Sequence, residues 1–195
     1  MSGRALAADW YPGTVPDNVR IDPTAYVGSS HSFVRCRSER AIAVEIGCGA
    51  SLCDDTTLDL GPNGFVRLGA YALVNGARIF CDSEIEIGDY ALVSWDVVLM
   101  DAYRATALRE DDPQPIWLGC NCWVGFGACV LPGVRIGEGS IVAARSVVTE
   151  DVPDFVIVAG NPARFVRDLP RPSRGRAIGA YASPARRAGS KTKPS

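Results

Sequence analysis

A six-residue spacing of aliphatic side chains is the feature of this sequence that most restricts its fold. The longest uninterrupted series comprises Leu118, Val124, Val130, Ile136, Val142 and Val148. Four of its members are followed by glycine or alanine, and such small residues let the backbone bend without a steric clash at Cβ. A β-sandwich would instead repeat its strands at about 8–12 residues. The period therefore predicts a β-solenoid whose coils each bury an apolar row against the next coil.

The same spacing occurs upstream in shorter series, whose members are Ile46, Leu52, Leu58, Leu68, Val74, Ile87, Val93 and Leu99. A second apolar residue often lies two positions before a member, which matches the alternation of inward and outward side chains in a short strand. Two insertions interrupt the series. Residues 61–64 have the composition of a turn, and residues 101–115 are rich in charged residues and proline. We predict that segment 101–115 projects from the solenoid, where loops commonly carry function.

These boundaries predict one domain over residues 1–169, with clear repeats over 44–152. Residues 153–169 include a short amphipathic stretch that is expected to cap the last coil. Residues 170–195 consist mainly of Pro, Arg, Ser, Gly and Ala. A segment with so few apolar side chains cannot bury enough surface to fold, so we predict a disordered basic tail.

Charge and cysteine content restrict the binding partners and the cellular compartment that the sequence predicts. Residues 1–169 contain 13 Arg, no Lys and all 22 acidic residues, so this part is acidic and offers no footprint for nucleic acid. No apolar run is long enough to cross a membrane. The odd number of cysteines, seven, favours reduced thiols in a cytoplasmic protein. Because the chain has a single histidine, the pair Cys120 and Cys122 is a poor metal site, and no metal is expected.

Several motifs in the second half of the chain carry a resemblance to a known family. They are Trp123-Val124-Gly125, Leu131-Pro132-Gly133-Val134, Ile136-Gly137-Glu138-Gly139, the stretch 142–149 and the stretch 158–164. The chain resembles the hexapeptide-repeat acyltransferases, and among them the galactoside, maltose, nodulation and polysaccharide O-acetyltransferases, over residues 46–169 and most strongly from residue 116. The resemblance implies an all-β, left-handed parallel β-helix, a homotrimer, and acetyl-CoA or another acyl-CoA in a groove between neighbouring prisms.

The same resemblance implies a set of binding residues. The positions that match coenzyme A contacts are Trp123, Ala144, Thr149, Arg164 and Arg167, and Asn75 matches the asparagine that orients the acceptor hydroxyl. Guanidinium groups suit the phosphate oxygens of the cofactor, although a salt-bridged cap is an alternative explanation of the two arginines. Where the family often has lysine, this chain has Glu150, which removes one phosphate partner and should weaken coenzyme A binding.

The chain departs from the family at its catalytic histidine. Tyr103 or Arg104 stands where the family has a histidine base. Arginine stays protonated and tyrosine loses its proton only in alkaline solution, so neither replaces that base unaided. The resemblance leaves Asp101 as a base or orienter, Tyr103 as a hydrogen-bond donor and Arg104 as a partner for an anionic acceptor or oxyanion. His31 is the competing candidate, since histidine ordinarily exchanges a proton near neutral pH, unless its imidazole serves only in packing.

Three functions are therefore compatible with the sequence. The first is a CoA-dependent acyltransferase, acetyl transfer being the expected form, which acts on a small hydroxyl or amine acceptor without the usual histidine base. The second is a repurposed β-helix that binds another ligand or catalyses another reaction. The third is a structural trimer without chemistry.

Overall fold

The computed structural model describes residues 4–7, 9–104 and 112–171. Apart from its first residues, Pro170 and Arg171, the predicted basic tail 170–195 lies outside the described residues. The described segments form short strands and one 3₁₀ helix, and they contain no α-helix. No helix among them is long and apolar enough to cross a membrane.

The strands recur three to a coil, and the stacked coils form three parallel sheets. In chain order they are β1 (Val19–Ile21), β2 (Tyr26–Val27), β3 (Val44–Ile46), β4 (Ser51–Leu52), β5 (Thr57–Leu60), β6 (Phe65–Leu68), β7 (Leu73–Val74), β8 (Arg78–Cys81), β9 (Glu84–Ile87), β10 (Leu92–Val93), β11 (Val98–Met100), β12 (Ile116–Leu118), β13 (Trp123–Val124), β14 (Cys129–Val130), β15 (Arg135–Ile136), β16 (Ile141–Val142), β17 (Val147–Val148), β18 (Val156–Gly160) and β19 (Ala163–Asp168).

The sheets are numbered in the order in which their first strands occur in the chain. The first sheet has the order β1-β3-β6-β9-β12-β15, the second β2-β4-β7-β10-β13-β16-β18-β19, and the third β5-β8-β11-β14-β17. Every pairing is parallel except that of β18 with β19. The predicted all-β, left-handed parallel β-helix is confirmed, with about six turns.

The interior confirms the six-residue rows. All fourteen aliphatic residues of the predicted series are buried, as are the five apolar residues two positions before strand members (Val44, Val66, Ile85, Ile116, Val134). The series omits Leu60, Ile79 and Cys81, which are also fully buried. Ile79 escaped the pattern because it follows Val74 by five residues. That coil turns one residue earlier than its neighbours, at Asn75 and Gly76.

The prism begins earlier than the predicted start of clear repeats at residue 44. β1 pairs with β3 in register, Val19 opposite Val44, and β2 pairs with β4. Among the described residues this first coil adds no strand to the third sheet. A 3₁₀ helix, Ser30–Phe33, takes its place and buries Phe33 in the core. Part of this coil is rich in serine, so the six-residue spacing of aliphatic side chains does not identify it.

The predicted loop, residues 101–115, lies at one edge of the prism, and the predicted cap, residues 153–169, lies at its end. The ends of segment 101–115 meet where the Gln114 N–H donates to the Asp101 carbonyl over 2.7 Å, and residues 105–111 are not described. Within the predicted cap 153–169, strands β18 and β19 form an antiparallel hairpin. Residues 164–168 are exposed, so the hairpin lengthens the second sheet without packing across the last coil.

The three outer faces differ in chemistry. On the first sheet the outward row alternates in charge, Arg20, Glu45, Arg67 and Glu86, before it reaches Trp117 and Arg135. The outward row of the second sheet is mainly apolar: Tyr26, Ser51, Leu73, Leu92, Trp123, Ile141 and Ile157. On the third sheet the row changes from Thr57 and Arg78 to Val98, Cys129 and Val147.

Candidate functional site

Trp123 begins β13 on the outer face of the second sheet. Its side chain is 45 % exposed although the next residue, Val124, is completely buried. The indole N–H donates to the Ser94 hydroxyl over 3.0 Å, which sets the orientation of the ring. Ser94, which sequence reasoning missed, lies one coil earlier at the corner between the second and third sheets. A large aromatic surface held open in this way is suited to contact with a ligand or a partner chain.

Ala144 and Thr149 are both exposed but lie at opposite edges of the third sheet. Ala144 is at the corner between the second and third sheets and directly precedes Arg145, whose guanidinium carbon lies 5.9 Å from the Phe126 ring centroid. Thr149 follows β17, at the edge that adjoins the first sheet. Within one prism the two positions are therefore separated by the width of a face.

The two candidate phosphate-binding arginines are on the terminal hairpin. Arg164 lies opposite Ala159 and Arg167 opposite Ile157, and both side chains are exposed. Arg164 Nη1 is 3.5 Å from Glu150 Oε1. Such an exposed pair contributes little to stability. It does, however, place the Glu150 carboxylate beside Arg164, a candidate phosphate-binding residue. This negative charge disfavours phosphate binding, in addition to the absence of the lysine that the resemblance leads one to expect at position 150.

Replacing Glu150 by lysine is expected to tighten coenzyme A binding by roughly threefold to tenfold, because the change frees Arg164 and adds a cation. Calorimetric titration with coenzyme A at two salt concentrations measures the effect. Glu138→Lys, an exposed glutamate at another corner, is the control for total charge. Equal affinities of the two variants would remove the 150–164 region from the cofactor site.

Asn75 occupies the shortened corner between β7 and β8. The residue is buried, and its backbone N–H donates to the Val93 carbonyl over 2.9 Å. Within the described part of the chain its side-chain amide has no hydrogen-bond partner. Trp95, largely exposed, packs over the adjacent Gly76, where an added Cβ would lie 3.0 Å from the indole Cδ1. This corner thus holds an unpaired amide beside an exposed aromatic ring.

The structure corrects the candidate role of Asp101 as a base in contact with the acceptor. Its side chain is completely buried. Its carboxylate accepts backbone N–H groups of Asp82 over 2.8 Å, Ser83 over 2.7 Å and Glu84 over 3.0 Å. Burial raises the pKa of Asp101 above its ordinary value, against the opposing effect of these donors. Asp101 therefore anchors the turn beneath the loop and does not reach a substrate.

Arg104 is likewise committed to the protein. Its guanidinium donates to Asp59 Oδ1 over 2.7 Å, to the Asp59 carbonyl over 2.9 Å, and to the Asp82 carboxylate over 2.8 and 3.1 Å. Four of its five N–H donors are used in these bonds, which conflicts with the expected role of Arg104 as the main partner of an anionic acceptor. Arg104 instead ties the start of the loop to the third sheet. The neighbouring Tyr103 is exposed and remains available as a hydrogen-bond donor.

His31 lies in the 3₁₀ helix, half-buried between two aromatic rings. Its ring centroid is 5.4 Å from that of Trp10 and 5.2 Å from that of Tyr11. The Asp9 carboxylate holds this segment by accepting the Ser29 hydroxyl over 2.7 Å and the Ser30 N–H over 2.9 Å. His31 is thus outside the apolar interior.

His31 lines a cleft whose wall Arg104 contacts from the start of the loop. A cleft of about 430 Å³ on the outer face of the third sheet is lined by His31, Ser32, Val34, Arg35, Thr57, Leu58, Asp59, Arg78 and Phe80. Two of these residues also contact Arg104: Asp59 through its ion pair and Phe80, whose ring centroid is 5.6 Å from the guanidinium carbon. His31 therefore lines the cleft directly, whereas Arg104, one of the loop candidates, contacts residues of its wall. Sequence reasoning missed Arg78 and Phe80, which alternate with buried residues in β8.

The seven cysteines are free. Cys122 is buried while Cys120 is exposed, and burial raises the pKa of the Cys122 thiol to about 12. In the segments that the structure describes, no group of three or more His, Cys, Asp or Glu side chains is arranged to hold a metal ion.

Comparison with known proteins agrees with this fold. Residues 115–150 match the family described as bacterial transferase hexapeptide, six repeats. Galactoside O-acetyltransferase of Escherichia coli is 34 % identical over 114 residues, which cover 56 % of each chain. The Lactococcus lactis enzyme of that name is 33 % identical over 114 residues, 56 % of this chain and 55 % of its own length. The chain therefore spans little more than half the length of these curated relatives.

Solved structures share the architecture. A hexapeptide-repeat acetyltransferase from Vibrio cholerae, complexed with acetyl coenzyme A, superposes with a TM-score of 0.54 at 27 % identity and covers 64 % of this chain and 70 % of its own. A hexapeptide transferase family protein from Anaplasma phagocytophilum gives 0.59 at 24 % identity, with 78 % and 80 % covered. The matched repeats and the named relatives show that this chain is similar to hexapeptide-repeat acetyltransferases, and it shares the parallel β-helix of the solved structures.

Proposed function

We propose that the protein is a CoA-dependent acyltransferase, acetyl transfer being the expected reaction, with a small hydroxyl- or amine-bearing acceptor. The observation that carries the proposal is the exposed Trp123 ring, which Ser94 orients inside the repeats that match the transferase family. Ala144, one coil later, keeps the neighbouring corner open because its side chain is only a methyl group. The relative complexed with acetyl coenzyme A supports an acyl-CoA co-substrate.

In the proposed reaction the acceptor oxygen or nitrogen bonds to the thioester carbonyl carbon, and the carbon–sulfur bond breaks. The proton that the acceptor loses is transferred to the departing thiolate of coenzyme A. An amine that enters neutral needs no strong base, whereas a hydroxyl acceptor requires one, and His31 is the candidate for that role. Asn75 would orient the acceptor and Tyr103 would donate a hydrogen bond. Asp101 and Arg104 act as positioning residues that hold the start of the loop.

The proposal includes a homotrimer that packs through the second and third sheets. Their outer faces present Leu92, Ile141, Val98 and Val147, whereas the first sheet presents a charged row that is better left in water. Trp123, Ala144 and Asn75 lie at or near one edge of the third sheet, and the loop with Thr149 lies at the other edge. A neighbouring prism is therefore needed to bring both sets of residues around one thioester.

Ala144→Trp is expected to weaken coenzyme A and acetyl-CoA binding by at least about a hundredfold, since an indole would fill the proposed groove and steric exclusion removes several kcal/mol of affinity. Calorimetry and a thermal-shift series with both thioester and free thiol measure the loss.

Glu138→Trp provides the matched control, because it adds the same ring at an exposed corner away from the groove. The control is expected to bind as the unmodified protein does. Full binding by a folded Ala144→Trp protein would refute the cofactor site and favour a β-helix that binds another ligand.

A further inference from the structure

The cleft beside His31 carries an excess of positive charge. Asp59 lies at its wall and is contacted by three arginines, at 2.7 Å from Arg104, 2.8 Å from Arg37 and 3.5 Å from Arg35. Burial alone would raise the pKa of Asp59, but the hydrogen bonds and charges of these arginines outweigh it and lower the pKa. Asp59 is therefore ionised and fully neutralised by its partners.

Arg78 is the cation left over. It lines the cleft from the outward row of β8, its side chain is exposed, and it forms no ion pair with any residue that the structure describes. The carboxylates of Asp59 and Asp82 are bridged by Arg104. An unpaired guanidinium at the wall of a cleft is a binding group for a carboxylate or a phosphate.

The rest of the cleft suits a small organic molecule. Its volume of about 430 Å³ is within the usual range for small-ligand sites. The Phe80 ring, two residues after Arg78, offers an apolar surface for a carbon skeleton. The imidazole of His31 lies at the opposite wall, with its orientation set by Trp10 and Tyr11. Asn75 precedes Arg78, the first residue of β8, by only three residues, which places the cleft next to the proposed acceptor corner.

We propose that this cleft is the acceptor subsite and that it selects an acceptor with a carboxylate or phosphate group, which pairs with Arg78 while its skeleton lies against Phe80. The assignment as an acceptor subsite rests on the proposed acyltransferase function. The presence of an anion-binding cleft does not, so the two can be tested separately.

The chain's single histidine makes the test direct, because the two carbon–hydrogen signals of the imidazole, from Cδ2 and Cε1, both belong to His31 in an NMR spectrum of tag-free protein. Glucuronate and glucose 6-phosphate serve as carboxylate and phosphate probes, with glucose as the neutral analogue. We expect at least one anionic probe to shift the His31 signal saturably, and glucose to leave it unchanged. Which anion binds more tightly identifies the preferred group.

Arg78→Gln is expected to weaken the anionic probe at least tenfold. Arg20→Gln, which alters an exposed arginine on the charged first sheet, is expected to retain binding. No saturable shift with either anion, or equal affinities in Arg78→Gln and unmodified protein, would overturn the proposal. Calorimetry with coenzyme A on the same samples separates the outcomes. Cofactor binding without anion binding overturns the cleft alone, and anion binding without cofactor binding overturns its role as an acceptor subsite.

Discussion

Asp101→Asn is expected to lower the free energy of unfolding by about 2–4 kcal/mol, a large part of the stability of an ordinary domain. The carboxylate accepts three backbone N–H groups through its two oxygens, one from Asp82 and two from Ser83 and Glu84. An asparagine has one acceptor oxygen, and its amide nitrogen is itself a donor. At least one buried N–H therefore meets another donor, and the lost bonds involve a charged acceptor.

Urea or guanidinium unfolding followed by tryptophan fluorescence measures the loss. Asp151→Asn is the matched control, since Asp151 lies at the same edge of the prism and is exposed, with one backbone N–H, from Arg135, at 2.8 Å. Its expected cost is below about 1 kcal/mol. If Asp101→Asn costs no more than the control, the charge of Asp101 does not hold the turn, and its assignment as an anchor fails.

Leu92→Arg and Val98→Arg are expected to convert the proposed trimer to monomers, each raising the dissociation constant by more than about a hundredfold. Leu92 lies on the outward row of the second sheet and Val98 on that of the third. An arginine on either face would be desolvated against apolar side chains of the neighbouring prism without a carboxylate partner. Analytical ultracentrifugation at micromolar concentration measures the change.

The proposed trimer would also link assembly to function, because neither edge of the third sheet holds all candidate residues. The monomeric variants are expected to lose coenzyme A binding together with assembly, while circular dichroism stays that of a β-helix. Glu138→Arg adds the same side chain at an exposed corner and is expected to stay trimeric. Persistence of the trimer in both face variants, or a monomeric unmodified protein, would contradict packing through these sheets.

The catalytic candidates show why local sequence could not assign roles at the loop. Asp101 and Arg104 stand near the position of the missing histidine, so the resemblance made them candidates for chemistry. Their partners are 17 to 45 residues earlier in the chain, and only the stacking of coils brings those partners alongside. In the sequence, an aspartate that is buried and accepts backbone N–H groups cannot be distinguished from an aspartate that acts as an exposed base. Only the three-dimensional structure shows the difference.

The sequence by itself determined the solenoid, because a six-residue period leaves one way to bury the row from Leu118 to Val148, and every member of that row is inside. It also located the turn at residues 61–64 and the repeats that match the bacterial transferase hexapeptide description over residues 115–150. Only the tertiary structure decided the rest: the short corner at Asn75, the 3₁₀ helix that replaces a strand, and the cleft shared by His31 and Arg78. These features depend on contacts between successive coils, and such contacts leave no periodic trace in the chain.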